Sequence, residues 1–197
     1  MSALSTMSAR VHGALSPAVQ STLPPYPAHL ARQCSLNDGT IVTIRPIRPE
    51  DAGMEQEFVR RLSAESRYFR FMDSPQELSP RMLSHFTQID YDLHMAFIAV
   101  TAQGGGRLQV GVARYIADND RKMCEFAVVV ADDWQKKGIG ALLMQTLVAA
   151  ARAARVGVMF GDVLSGNDKM LRLAARLGFS ARVNEADPRL MRVEMNL

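Results

Sequence analysis

The sequence predicts a mixed α/β domain, and two stretches of the chain carry this prediction. The first contains three strand-like runs, at 94–101, 109–117 and 122–131, separated by turn residues, which is the pattern of an antiparallel meander. The second begins after Gly138 with a helical pattern rich in Ala and Leu, and it continues into an apolar strand at 156–164. We therefore expect a mainly antiparallel sheet combined with helices.

The other elements follow from local signals. Residues 40–47 carry alternating β-branched residues after a turn, and they predict the first strand. Pro49 and Pro80 each stand where a helix can begin, because proline is tolerated in the first helical turn. A further helix is expected at 167–176, and a short final strand at 189–195.

Composition indicates one globular domain with an N-terminal arm. The chain has 197 residues, of which 48% are apolar and 22% charged, as in ordinary soluble domains. Residues 1–36 contain no acidic residue and are rich in Ser, Ala and Pro. Such a segment buries too little apolar surface to order itself, so we expect a disordered arm over 1–36 and a single domain over 37–197.

Charge and cysteine content narrow the expected partners. The net charge is +3, from 23 basic and 20 acidic residues spread along the chain, so we expect no nucleic-acid partner. No apolar stretch reaches the roughly 18 residues of a membrane span, so no membrane association is expected. Cys34 and Cys124 lie far apart and outside any metal-ligand spacing. They indicate free thiols, a cytoplasmic location and no metal site.

The stretch most informative about function is 124–140, where a strand runs into a loop that opens a long helix. A helix N-terminus has unpaired N–H groups and a partial positive charge, and glycines there let an anion approach the backbone. Gly138 and Gly140 meet this requirement, and Lys136 and Lys137 add positive charge. On spacing alone, an anion site and a plain tight turn explain the glycines equally well.

Residues 135–140 match the pattern Q/R-x-x-G-x-G/A, and in this the chain resembles the acetyl-CoA motif of the GNAT superfamily. The resemblance extends from about Tyr26 to Leu197, and it includes the acetyltransferase domain of bacterial Pat-type protein lysine acetyltransferases. The segments that carry it are YPAHL, DGTIVTIRPIRPED, LSAESRYFRF, FTQIDYD, GVARYIAD, EFAVVV-x-DDWQ, N-x-x-M and RLGF.

This resemblance implies a fold and a cofactor. The expected GNAT fold is a mixed, mainly antiparallel twisted sheet with helices on both faces, in which two parallel strands separate beside the cofactor. The expected cofactor is acetyl-CoA, the acetyl donor. The residues implied to bind it are Val128, Val129, Val130, Gln135, Lys136, Lys137, Gly138, Ile139, Gly140, Ala141 and Asn167.

The resemblance also implies catalytic residues. Glu125 corresponds to the glutamate that serves as general base, although a strand glutamate by itself is more often solvent-facing. Ala174 stands where many GNAT enzymes have a tyrosine acid, so the general acid is unassigned. Asp90, Asp92 and Asp162 are candidates for attracting a cationic acceptor amine, but such residues more often cap helices or turns.

Three functions are compatible with these observations. The first is acetylation of a protein lysine, for instance on an acyl-CoA synthetase, and the second is acetylation of a small-molecule amine. The third is an acyl-CoA-binding sensor without turnover; Glu125 argues against it, and the absence of a tyrosine at 174 argues slightly for it. A homodimer is one alternative for the oligomeric state. The alternating basic and aromatic residues at 66–71 are explained better by helical burial of Tyr68 and Phe71 than by nucleic-acid contacts.

Overall fold

The structure is a computed structural model that describes residues 24–72, 75–103 and 105–197. Within these ranges eight strands form one sheet in the order β1-β2-β3-β4-β5-β6-β8-β7. Neighbouring strands are antiparallel except β5 and β6, which are parallel. The strands are β1 (Arg32–Ser35), β2 (Ile41–Pro46), β3 (His94–Gln103), β4 (Gly106–Ala117), β5 (Met123–Val130), β6 (Val158–Leu164), β7 (Ser180–Val183) and β8 (Leu190–Asn196).

Helices cover both faces of this sheet, which confirms the expected fold class. On one side, which we call the α1–α3 face, three helices pack over the sheet, and on the opposite α4 face two helices do so. The helices are α1 (Ala52–Arg61), α2 (Ala64–Phe71), α3 (Pro80–Thr87), α4 (Ile139–Ala153) and α5 (Asp168–Arg176).

The helix starts follow the capping signals of the sequence. Ser63 caps α2 by accepting a hydrogen bond from the Ser66 backbone N–H at 3.1 Å, and Ser79 caps α3 in the same way. A short 3-10 turn, Pro49–Asp51, precedes α1. The turn is fixed by the Asp51 carboxylate, which accepts hydrogen bonds from both terminal nitrogens of Arg45 at 2.6 and 2.7 Å.

Alternation along the strands divides the core into two layers. On β5, Cys124 and Phe126 belong to the core of the α4 face. Because successive strand side chains point to opposite faces, Glu125 lies on the α1–α3 face. The core of that face is built around Phe58, Phe71 and Phe86, one from each of its three helices.

Two short strands differ from the expectation. β1 lies inside the segment expected to be a disordered arm, and it pairs with β2 through Arg32 to Ile44 and three further positions. Leu36 is buried in the core, so the arm expected over 1–36 does not extend to these residues. Residues 1–23 lie outside the described part of the chain. β7 was also missed, because both strands are four residues long and mostly exposed, without an apolar alternation.

Candidate functional site

The site is organised by the separation of β5 from β6. These parallel strands pair only at three positions, the last of which joins Glu125 to Phe160. Beyond Glu125, β5 continues to Val130 while paired with β4 on its other side. The main chain of β5 from Phe126 onward therefore has no ladder partner on the β6 side. A cavity of about 750 Å³ runs along this edge, lined by residues of α2, β5, β6, α5 and the loop before α4.

At one end of the cavity lies the glycine loop. Gly138 is the N-cap of α4 with φ +91°, and Lys136 also adopts a left-handed conformation with φ +63°. The first turn of α4 contains no acidic residue. A Cβ added at Gly138 would meet no atom within 4 Å, so the helix N-terminus is open to a bound anion. This geometry fits the pyrophosphate of acetyl-CoA.

Gly140 has a different role. A Cβ added there would lie 3.3 Å from the Leu173 side chain and 3.7 Å from Val130. The glycine therefore permits close packing of α4 against α5 and β5, and only its backbone contributes to the cavity wall. Ile139 is buried in the core of the α4 face, so any cofactor contact from it is through the main chain. Ala141 lines the cavity.

The polar residues of the loop connect it to neighbouring elements through hydrogen bonds and an ion pair. The Gln135 side-chain amide donates to the Val130 carbonyl at 3.3 Å, and its oxygen accepts from Lys169 at 3.3 Å. Lys137 pairs with Asp38 at 3.1 Å and does not line the cavity, whereas Lys136 does. The Asp38 pairing makes Lys137 a support of the loop.

Asn167 both caps a helix and lines the cavity. Its side-chain oxygen caps α5 by accepting from the Met170 backbone N–H at 3.1 Å. Asn167 also lines the cavity. On β5, Val128 and Val130 pack against the core of the α4 face and Val129 against that of the α1–α3 face, so the backbone of these valines is what the cavity offers to a ligand.

Asp132 ties α2 to the glycine loop. Its carboxylate accepts hydrogen bonds from the Ser63 backbone N–H and hydroxyl, both at 2.8 Å, and from the Ser66 hydroxyl at 2.7 Å. Burial acts to raise the pKa of Asp132, but the hydrogen bonds from Ser63 and Ser66 outweigh it and lower that pKa. The ionised carboxylate therefore fixes the first turn of α2 beside the loop.

Glu125 lies where the two strands part, at the opposite end of the cavity from the loop. Its side chain is partly exposed and lines the cavity. Its charge acts on two guanidinium groups, Arg70 from α2 and Arg192 from β8. Burial and the charge of Arg114 lower the pKa of Arg70 against a smaller opposing effect of Glu125, whereas the hydrogen bond with Asp162 is the largest cause of the raised pKa of Arg192, to which Glu125 adds. A carboxylate held there can accept a proton from a group that enters the cavity.

The three aspartates predicted to attract an amine are placed differently. Asp162 lines the cavity, but its side chain is only 6% exposed and is bound by Arg192 at 2.8 and 3.0 Å and by Asn184 at 2.9 Å. Its charge is therefore already compensated. Asp90 and Asp92 are not among the lining residues. They lie in the turn before β3.

Local contacts account for both of these residues. Asp90 accepts hydrogen bonds from the backbone N–H groups of Asp92 and His94, each at 2.8 Å. Asp92 pairs with Arg121 at 2.6 Å. The prediction that the two aspartates bind the acceptor is not supported, because they fix the turn before β3 instead.

Arg70 is one of the cavity-lining residues that sequence reasoning did not predict. Its only signal was the basic and aromatic alternation at 66–71, which we attributed to burial of Tyr68 and Phe71. Phe71 is 3% exposed as expected, but Tyr68 is 45% exposed. Ala174 is buried in the core, and no tyrosine, histidine or cysteine is found among the described lining residues. The general acid thus has no side-chain candidate in that set.

Two further properties concern metals and membranes. Within 24–72, 75–103 and 105–197, no three His, Cys, Asp or Glu side chains are grouped in a way that could hold a metal ion. None of the helices described is both long and apolar enough to cross a membrane.

Comparison with known proteins agrees with this geometry. Residues 57–179 match the family described as the acetyltransferase (GNAT) family. An acetyltransferase of Pseudomonas aeruginosa is 40% identical over 154 residues, which are 78% of this chain and 81% of that protein. The acetyltransferase Pat of Mycolicibacterium smegmatis is 30% identical over 136 residues, 68% of this chain and 40% of Pat, so the chain spans less than half of that relative.

A solved structure shows the same fold. The GNAT domain of S. lividans PAT superposes with a TM-score of 0.80 at 27% identity, covering 88% of this chain and all of that domain. Members of the GNAT family use acetyl-CoA as their acetyl donor. With more than half of the chain inside the family match, this protein belongs to the GNAT family of acetyltransferases.

Proposed function

We propose that the protein transfers the acetyl group of acetyl-CoA to a primary amine, with a protein lysine side chain as the acceptor and Glu125 as the general base. One observation carries the proposal: Glu125 stands where β5 and β6 separate, in the same cavity as the open N-terminus of α4. A proton acceptor and an anion site thereby share one continuous space.

Donor binding uses the backbone of this cavity. Acetyl-CoA supplies the acetyl thioester when bound. The N–H groups at the start of α4 bind its pyrophosphate, and the main chain of Val128, Val129 and Val130 binds the pantetheine arm along the free edge of β5. A backbone N–H of Val128 or Val130 polarises the thioester carbonyl as negative charge develops on its oxygen.

The acceptor needs a base because its amine is protonated at neutral pH. A lysine side chain has a pKa near 10.4, so its free amine at pH 7 lies roughly 4.6 kcal/mol above the ammonium form. Glu125 takes this proton, directly or through water, while the amine nitrogen forms its bond to the acetyl carbon. The bond from the acetyl carbon to sulfur then breaks, and the nitrogen loses its second proton as the amide forms. Water relays that proton to the departing sulfur, in keeping with the ordinary thiol pKa near 8.5.

Support for a lysine acceptor comes from the similarity to Pat-type enzymes in the sequence. A small-molecule amine remains the alternative acceptor, and a sensor without turnover remains the alternative class. The free cysteines Cys34 and Cys124 support a cytoplasmic location as part of the same proposal. Steady-state turnover with a panel of lysine peptides and small amines distinguishes all three functions, since a sensor acetylates none of them.

The role of Glu125 is tested by Glu125→Gln, which keeps the side-chain shape and removes the proton acceptor. We expect kcat/KM to fall by roughly 10² to 10⁴ at pH 7 while acetyl-CoA affinity persists. The deficit should shrink as pH rises, because more of the acceptor amine is already neutral. The matched control is Glu65→Gln, an exposed glutamate that lines the same cavity on α2. Equal activity of Glu125→Gln and Glu65→Gln at pH 7 would exclude Glu125 as the base.

A further inference from the structure

Arg70, in the last turn of α2, is buried and has no counter-ion among the residues that the structure describes. The residue is 9% exposed and lines the cavity. Its guanidinium group lies 4.9 Å from the ring centre of Phe71 and 5.8 Å from that of Phe86. Across the ranges that the structure describes, no carboxylate oxygen lies within 4.0 Å of it and no acceptor receives a hydrogen bond from it.

The neighbouring charges do not neutralise this side chain. Arg114 is itself buried and forms an ion pair with Glu55, donating a hydrogen bond to its carboxylate at 3.2 Å. Burial and then the charge of Arg114 lower the pKa of Arg70 to about 9, against smaller opposing effects of Glu55 and Glu125. A buried cation without an ion-pair partner lowers the stability of the fold. Features that lower stability in this way concentrate at functional sites.

The position of Arg70 along the cavity indicates which reactant it meets. Ser66, one helical turn earlier, bonds to Asp132 beside the glycine loop. Arg70 lies about 6 Å farther along the axis of α2 and senses the charge of Glu125. Val130 and Glu125 are themselves separated by about 16 Å of extended strand. Arg70 therefore belongs to the Glu125 end, where the acceptor enters, and is remote from the cofactor phosphates.

Resting on the proposed function, we infer that Arg70 binds a carboxylate of the acceptor and selects amines that carry one nearby. The planar guanidinium group binds a carboxylate through two parallel hydrogen bonds, and its surroundings already hold it in place. Asp162 cannot compete for it, since Arg192 and Asn184 bind that carboxylate. The acceptor carboxylate comes either from a free amino acid or from an acidic residue next to the target lysine.

Two pairs of probes distinguish these sources. One pair is L-methionine and L-methioninamide, and the other is a lysine peptide with Glu or with Gln immediately before the lysine. For each pair, the ratio of kcat/KM is compared between the wild type and Arg70→Met, so that intrinsic differences in amine reactivity cancel. Binding of the same probes to the CoA-saturated protein is measured by calorimetry as a readout independent of turnover.

We expect at least one pair to favour the carboxylate member, and Arg70→Met to reduce that preference at least tenfold. Arg70→Lys keeps the charge without the planar fork, so it should retain part of the preference and serves as a second variant. Arg60→Met, an exposed residue outside the cavity wall, makes the same change in net charge and should leave the preference intact. Because the substitution removes an uncompensated buried charge, Arg70→Met should melt at the same temperature as wild type or higher.

The outcomes separate this inference from the proposed function. Turnover of all probes without any preference for carboxylate would overturn the inference and leave amine acetylation standing. Preferential binding of a carboxylate probe without turnover would support the inference and refute catalysis on these amines. A preference that survives in Arg70→Met, or a large loss of stability with unchanged preference, would show that Arg70 is only structural.

Discussion

A charge placed at Gly138 should separate cofactor binding from folding. Gly138→Asp and Gly138→Asn introduce side chains of the same shape, and both enter open space at φ +91°. A left-handed conformation costs a non-glycine residue about 1–2 kcal/mol, and asparagine and aspartate tolerate it best. The aspartate also regains about 0.3–1 kcal/mol from the positive end of α4. Without ligand, the Asp variant should therefore be at least as stable as the Asn variant.

With acetyl-CoA the order reverses. At 100 times the Kd, the ligand stabilises the wild type by about 2.7 kcal/mol. This raises the Tm by roughly 5–11 °C for a chain of this length. A carboxylate about 5 Å from one phosphate charge costs roughly 1–3 kcal/mol at effective dielectric constants of 80 to 20. The Asp variant should thus keep between about a tenth and about two thirds of the ligand-induced shift, and the Asn variant should keep more than the Asp variant.

The assay is thermal melting of the three proteins with and without acetyl-CoA at one ligand concentration. The difference between the Asp and Asn variants isolates the charge, since the strain and shape are shared. An acetyl-CoA shift that is the same in all three proteins would refute the placement of the pyrophosphate at this helix N-terminus.

Two other predictions concern the buried polar network beneath the site. Glu55→Leu leaves the buried Arg114 without its ion-pair partner and should lower the free energy of unfolding by about 3–5 kcal/mol, measured by urea titration. Adding Arg114→Met to this variant should recover most of the loss. Losses that simply add in the double variant would contradict the pairing. Burial, and then the charge of Arg114, hold the pKa of His94 well below its usual 6.5. Below pH 6.5 the unfolded chain therefore binds a proton that folded His94 does not. The contribution of neutral His94 to the free energy of unfolding is complete above pH 6.5 and is lost as pH falls toward the folded pKa. Between pH 7 and pH 5 the loss amounts to about 2 kcal/mol. His94→Gln should show a correspondingly flatter pH dependence in the same titrations, and an unchanged dependence would count against the neutral buried form.

The parts of the fold that could be predicted from sequence are the elements whose own residues carry a recognisable helix or strand pattern. The strands at 94–101 and 122–131 and the helix after Gly138 each carry a complete local pattern. β1 and β7 carry none, because an edge strand exposed on both faces has no apolar alternation, and its order comes from the neighbour with which it pairs.

The charged residues of the site were equally hard to predict from local sequence. The glycine loop was predictable because a helix N-terminus and a left-handed glycine are local features. Whether a carboxylate is available depends on its partner, and the partners of Asp162 and Asp92 lie 30 and 29 residues away along the chain. Arg70 was missed for the same reason, since what distinguishes it is that no described residue, near or distant along the chain, pairs with it.

The proposed base and the backbone proposed to bind the acetyl donor belong to one extended strand. About 10 Å of β5 separates Glu125 from Val128, and pairing with β4 at both residues holds that distance rigid. The strand thus fixes the distance between the Glu125 carboxylate and the Val128 backbone. Lengthening or shortening it by one residue between these positions would turn the carboxylate toward the buried α4 face, because side chains alternate with a period of two. A single insertion or deletion between these two positions would therefore remove the Glu125 carboxylate from the cavity.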